Sequence, residues 1–144
     1  MFHQEKKVPG VYVLMIKIDT DEDLNVGRLG LVHFRSGWYV YVGSAQNGLL
    51  QRIRRHLRSE KRIHWHIDYL LSSFSLKEIW LRMAEKSLEC DLSARFGEKL
   101  KNVKGFGCSD CSCTSHLFFG EYDTAIEVLK RSGLESCPLS LFEE

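Results

Sequence analysis

The run Gly37–Arg58, GWYVYVGSAQNGLLQRIRRHLR, constrains this chain more than any other stretch. Trp38–Val42 is aromatic and β-branched, a composition that suits a pleated surface, and Gly43-Ser44 ends the strand. Strand side chains alternate, so Tyr39 and Tyr41 project from one face. Asn47-Gly48 marks a turn, after which Leu49, Ile53 and Leu57 recur at the spacing of a helix's apolar stripe. Arg52 and His56 hold the same spacing and form a row beside that stripe. A strand carrying tyrosines therefore runs through a tight turn into a helix carrying Arg and His. That arrangement can aim all of them at one phosphate.

The remaining elements follow from pattern. After Pro9-Gly10, Val11–Ile18 is a nearly continuous apolar run, as in a central strand covered on both faces, and Tyr12 shares a face with Leu14, Ile16 and Ile18. Thr20–Asn25 reads as an acidic turn and Val26–Phe34 as a second strand interrupted at Gly27 and Gly30. Arg35-Ser36-Gly37 reads as a hairpin turn into the aromatic strand. Ile63–Phe74 has helical spacing at Ile67, Leu70, Leu71 and Phe74, and Leu76–Met83 alternates like a short strand. Glu85–Lys101 reads as a helix with Leu88, Leu92 and Phe96 turned inward and Glu89 on the edge of that stripe. A glycine- and cysteine-rich loop spans Gly105–Ser115, followed by a short strand at His116–Phe119. The last helix, Thr124–Ser132, is expected to be capped by Asp123 and ended by Gly133. The expected fold is α/β of the α+β kind, a small, mainly antiparallel sheet flanked by helices. It is read as one domain over residues 1–144, with a core at 10–100 and the cysteine-rich loop, C-terminal strand and helix at 105–133.

Composition narrows the setting. A chain of 144 residues can bury a core, and 44% hydrophobic with 27% charged residues is ordinary for a soluble globular protein. No apolar run approaches the roughly 18 residues a membrane span needs. The start, MFHQEKKVPG, lacks the apolar centre of a signal peptide, so a cytoplasmic protein with no membrane partner is expected. The net charge of +1 gives no nucleic-acid signal, yet Arg52, Arg54, Arg55, Arg58, Lys61 and Arg62 cluster against only Glu60. Such a patch either grips a phosphate backbone or is a solvated helix face.

Five cysteines without a secretory signal suit thiols or a metal better than a disulfide framework. Cys108, Cys111, Cys113 and His116 form C-x2-C-x-C-x2-H, ligand types that suit Zn²⁺; the alternative is a buried loop with the cysteines as small hydrophobes. Cys90 and Cys137 read as structural. His64, His66 and Asp68 read as packing around Trp65 or as hydrogen-bonding support behind a site.

Gly10-Val11-Tyr12, then Tyr41-Val42-Gly43-Ser44-Ala45, an Arg nine residues after Gly43 and a His four beyond it resemble the GIY-YIG endonuclease superfamily. With HWHIDYLL and FGCSDCSCTSHLFF, the chain is similar to a largely uncharacterised prokaryotic and archaeal branch of it, some members of which are joined to DNA-repair domains. The resemblance runs from Gly10 to about Leu100. It implies divalent-metal-dependent hydrolysis of DNA phosphodiesters with Mg²⁺ or Mn²⁺, and a DNA-repair protein as partner. It assigns catalytic roles to Tyr12, Tyr41, Arg52 and His56 and makes Glu89 the acidic metal ligand, with Glu85 one turn earlier as the alternative. The charge cluster itself offers Arg54, Arg55, Arg58, Lys61 and Arg62 as DNA-contacting residues, with a solvated helix face as the alternative. The chain departs from the superfamily by inserting Asp19–Phe34 between the two tyrosine motifs and by lacking a clear late asparagine. Two other classes remain open: a non-catalytic nucleic-acid-binding module using the basic helix, and an interaction domain stabilised by zinc.

Overall fold

A computed structural model describes residues 7–108 and 113–142. Eight strands and four α-helices follow in order: β1 (Gly10–Ile18), β2 (Glu22–Asn25), β3 (Leu31–Phe34), β4 (Gly37–Ala45), α1 (Leu49–Leu57), α2 (His66–Leu71), β5 (Ser75–Met83), α3 (Ser87–Lys99), β6 (Lys101–Asn102), β7 (Leu117–Gly120), α4 (Tyr122–Arg131) and β8 (Glu135–Cys137). Six strands form one antiparallel sheet in the order β6-β7-β4-β1-β5-β8, and β2-β3 make a separate two-stranded ribbon. The fold is thus mixed α+β with a mainly antiparallel sheet, as the patterning implies. Among the described residues no helix is long and apolar enough to cross a membrane.

β1 is central because nearly every residue in it is apolar and both its faces are covered. Alternation divides its side chains between two cores. Tyr12, Leu14, Ile16 and Ile18 join Tyr39, Tyr41, Leu49, Ile53, Ile67 and Phe106 on one face. Val11, Val13 and Met15 join Val40, Val42, Leu92, Phe96 and Leu129 on the other. Helices α1 and α2 therefore cover the tyrosine face, whereas α3 and α4 anchor to the opposite one.

The insertion between the tyrosine motifs leaves this sheet intact. Thr20–Asn25 is not simply a turn: Glu22–Asn25 is strand β2, paired with Leu31–Phe34. Nor is Val26–Phe34 one strand, since Gly27–Leu29 is a 3-10 turn entered from Val26 and closed at Gly30, which has a φ of 76°. Arg35–Gly37 does not link a β3-β4 hairpin, because β3 pairs only with β2 and β4 pairs with β1 along its whole length. The excursion folds on itself and returns the chain beside the strand it left.

Other boundaries differ for local reasons. Residues 63–65 are not helical: Asp68 accepts the backbone N–H groups of His64 and Trp65, so α2 starts at His66. α3 is shorter at both ends than Glu85–Lys101, its last expected residue being the first of β6. Glu121, not Asp123, occupies the N-cap of α4, and its side chain makes no capping bond; Asp123 lies in the first turn, where its charge favours the helix N-terminus.

Candidate active site

The pairing of β1 with β4 sets Tyr12 opposite Gly43 and Leu14 opposite Tyr41. Both phenols lie on the α1 face, with ring centroids 6.5 Å apart. α1 begins after Gly48, whose φ of 130° turns the chain sharply off the strand. One helical turn then separates Arg52 from His56, and both reach back toward β1.

Tyr12 is fully buried and its hydroxyl lies 2.6 Å from His56 Nε2. Arg52 also hydrogen-bonds to the Tyr12 side chain, donating to its oxygen, and Arg52 Nη1 donates to the Ser44 carbonyl at 3.1 Å. Burial raises the Tyr12 pKa well above its ordinary value, against which the Arg52 charge and hydrogen bond pull down. Burial raises Tyr41 too, reinforced by Tyr12 and by the negative charge of Glu89. His56 is pushed down to about 3, chiefly by burial; Asp68 opposes the shift and Arg52, Arg55 and Lys61 add to it. At neutral pH the proton therefore stays on the phenol, and Tyr12 donates to a neutral imidazole. His56 Nδ1 is buried without a hydrogen-bond partner among the described residues.

These groups open onto a cleft of about 160 Å³ lined by Tyr12, Tyr41, Ser44, Arg52, Glu89 and Lys86, with His64, Trp65, His66 and Gly107 around its rim. Glu89 lies in the first turn of α3 and reaches the tyrosine face although the helix is anchored on the other. The structure thus brings Tyr12, Tyr41, Arg52 and Glu89 to one cleft and sets His56 behind Tyr12. Glu85 is exposed and does not line the cleft.

The HWH segment forms the wall behind Arg52. Trp65 lies under two guanidinium groups, with Arg52 Cζ 4.5 Å and Arg55 Cζ 4.3 Å from its ring centroid. Arg55 forks onto the buried Asp68 carboxylate through two 3.0 Å bonds. That Arg55 fork, with bonds from the His64 and Trp65 backbone, outweighs the upward push of burial and holds the Asp68 pKa below its ordinary range. His64 and Asp68 therefore meet through the His64 backbone and not through its ring. His66 Nδ1 accepts from the Gly107 N–H at 2.9 Å, which ties this segment to the cysteine loop. Gly107 has a φ of 75°, a conformation that suits glycine and lets its amide turn toward His66.

The basic cluster is not a uniform phosphate-facing ridge. Arg55 is committed to Asp68 and Trp65, and Lys61 Nζ donates to the carbonyls of His56 and Arg58. Arg54 is half-buried, while Arg58 and Arg62 are exposed. Tyr39 donates to the Arg35 carbonyl and packs on Phe34 and Phe119, away from the cleft.

Of the expected zinc ligands, Cys111 lies outside the described residues. His116 is buried with Nδ1 2.6 Å from Ser93 Oγ, and the Cys113 thiol faces Cys90. Among the described residues no group of three or more His, Cys, Asp or Glu side chains is placed to hold a metal. For Mg²⁺ or Mn²⁺ the fit differs. Glu89 is the cleft's carboxylate beside the cations Arg52 and Lys86. Such a donor set suits an ion that keeps waters and takes oxygen ligands from a substrate phosphate.

Nothing in the residue pattern pointed to the roles of Ser44, Lys86 and Gly107. Trp65 was visible only as the aromatic between two histidines. A family model described as a domain of unknown function, DUF123, matches residues 11–136. No curated protein and no solved structure matches the chain.

Proposed function

The chain belongs to the DUF123 family, and from the cleft it carries we propose that it is a divalent-metal-dependent endonuclease hydrolysing DNA phosphodiester bonds, of GIY-YIG type. The observation that carries this reading is the buried Tyr12–His56 bond of 2.6 Å at the base of a cleft that Arg52 and Glu89 also line.

A phosphodiester needs an activated water, relief of charge on its non-bridging oxygens and help for the departing alkoxide. Arg52, always charged, donates to the non-bridging oxygens, and Lys86 adds positive charge at the rim. The Tyr12 proton passes to His56 Nε2 along their hydrogen bond, and the phenolate so formed takes a proton from the attacking water. Burial opposes that transfer, and the Arg52 charge and hydrogen bond, which pull the Tyr12 pKa down, favour the phenolate. Tyr41 positions the water or the phosphate. Glu89 would hold the ion, which supplies charge neutralisation at the phosphoryl and leaving oxygens. Arg58 and Arg62, both exposed, are candidates for DNA backbone contacts.

Purified protein incubated with supercoiled, branched and single-stranded DNA, with and without Mg²⁺ or Mn²⁺, tests the proposal. Metal-dependent nicking that Glu89→Gln abolishes is the expected result. DNA binding without nicking would replace it with a second reading, a nucleic-acid-binding module without turnover. One observation favours that alternative: burial alone holds the Tyr12 proton firmly in place.

A further inference from the structure

The sulfurs of Cys90 and Cys113 lie 2.9 Å apart although the residues are 23 positions apart in sequence. They are held there by a second contact. Ser93, one helical turn beyond Cys90 on α3, meets His116, three residues beyond Cys113, through the buried 2.6 Å bond between Oγ and Nδ1. This anchor fixes the loop against the helix and sets the thiols side by side. Both cysteines are half-buried and line a second cleft of about 350 Å³ with Ser93, Gly97 and Thr114. That cleft shares no lining residue with the first. Of the other described cysteines, Cys108 Sγ donates to the Phe106 carbonyl and Cys137 lies on the edge strand β8.

We propose that Cys90 and Cys113 are a redox couple, closed to a disulfide by a peroxide entering through this second cleft. One thiolate attacks a peroxide oxygen and breaks the O–O bond, giving a sulfenic acid and a hydroxide that is protonated to water. The other sulfur then attacks the sulfenic sulfur, the S–O bond breaks, and the leaving hydroxide takes the thiol proton as a second water. Both sulfurs are oxidised and both peroxide oxygens are reduced. The separation must shorten only to a bond of about 2.05 Å.

The bond would join two walls of the first cleft. Cys90 follows Glu89 directly on α3; Cys113 precedes Thr114, whose carbonyl accepts the Gly105 N–H, and Gly107 beyond it is tied to His66. Oxidation therefore staples the helix bearing the cleft's carboxylate to the loop at its rim. Only this last consequence depends on the endonuclease proposal.

The test treats the fully reduced full-length chain with hydrogen peroxide, alkylates the remaining thiols and maps the peptides by mass spectrometry. Before alkylation the expected product is lighter than the reduced chain by about 2 Da; after it, the product retains two unalkylated cysteines in a Cys90–Cys113 cross-linked peptide that dithiothreitol reverses. Its midpoint of thermal unfolding should lie several degrees above that of the reduced protein, a rise lost in Cys90→Ser and in Cys113→Ser. The proposal is overturned if peroxide leaves both thiols alkylatable. It is equally overturned if either cysteine is linked instead to Cys108 or Cys111, or if bound zinc protects both from alkylation. None of these readouts uses DNA, so loss of the nuclease proposal would leave this result standing.

Discussion

Tyr12 lies across the backbone of Gly43, so closely that a Cβ built on that glycine would stand 2.5 Å from the phenolic oxygen. The glycine is required for space and not for a turn, since the strand pairs through it in unbroken register. Gly43→Ala must push the ring off His56 or part β1 from β4. Overpacking of this kind costs about 1–3 kcal/mol. Thermal or denaturant unfolding should register that loss. An unchanged midpoint would mean the Tyr12 ring has another place to go.

His56 makes stability depend on pH in a definite direction. Its folded-state pKa of about 3 lies below the ordinary value of 6.5, so between those limits the unfolded chain binds more protons. The contribution is complete above pH 6.5 and is lost as pH falls toward 3, at up to about 1.4 kcal/mol per pH unit. Asp68, whose pKa is also lowered, adds its own loss only below the ordinary carboxylate value of 3.8. Denaturant unfolding between pH 4 and 7 should therefore show a decline on the acid side that His56→Gln flattens. A decline of equal steepness in the variant would assign it to other groups.

The parts of the fold that were legible in the sequence were those with a clear side-chain period or a strongly strand-forming composition. Leu49–Leu57 and Leu76–Met83 carry such a repeat and are elements close to their expected bounds; the apolar run Val11–Ile18 and the aromatic run Trp38–Val42 were legible by composition instead, although β4 continues through Gly43 and Ser44 to Ala45. Strand β2 was not visible because Glu22-Asp23-Leu24-Asn25 is made largely of residues poor in strands and is held there by pairing with β3. Strands β6 and β8, of two and three residues, exist only because β7 and β5 offer free edges nearby. Pairing partners distant in sequence leave no local trace.

Asp68 is the buried pin of the HWH segment. It takes both bonds of the Arg55 fork and two backbone N–H groups, while its side chain is wholly excluded from solvent and that of Arg55 is 21% exposed. Removing one partner of such a pair strands the other, at a cost of about 3–5 kcal/mol. Asp68→Ala should approach that range, with Arg55→Ala lower because the carboxylate keeps its backbone donors. The double variant should lose less than the sum of the two. Additive losses in a double-mutant cycle would show that the two side chains act independently.

Of the cleft, the sequence disclosed the components that lie on one strand–turn–helix. Tyr41, Arg52 and His56 have their spacing fixed by local geometry, and Tyr12 joins them through the parity of β1. The Gly107–His66 contact spans 41 residues and uses a backbone amide, which no pattern of side-chain types encodes. The commitment of Arg55 and Lys61 to internal acceptors was equally hidden. A run of arginines reads the same whether its charges face solvent or a buried carboxylate.

Trp65 and Arg52 give the proposal a graded test. Arg52 is held by the Ser44 carbonyl and by the indole face, a planar contact that suits guanidinium better than ammonium. If Arg52 carries the phosphoryl charge, Arg52→Lys should lower metal-dependent DNA cleavage by about 10²–10³-fold, the range seen when one preorganised donor is lost. Trp65→Phe keeps an aromatic face and should be milder than Trp65→Ala, with each loss falling on kcat more than on KM, because Trp65 is expected to orient Arg52 and not to grip DNA. Single-turnover cleavage beside a DNA-binding titration separates the two effects. Equal losses of binding and cleavage in Trp65→Ala would instead make Trp65 a DNA-contacting residue, and full cleavage by Arg52→Lys would remove the guanidinium from the chemistry.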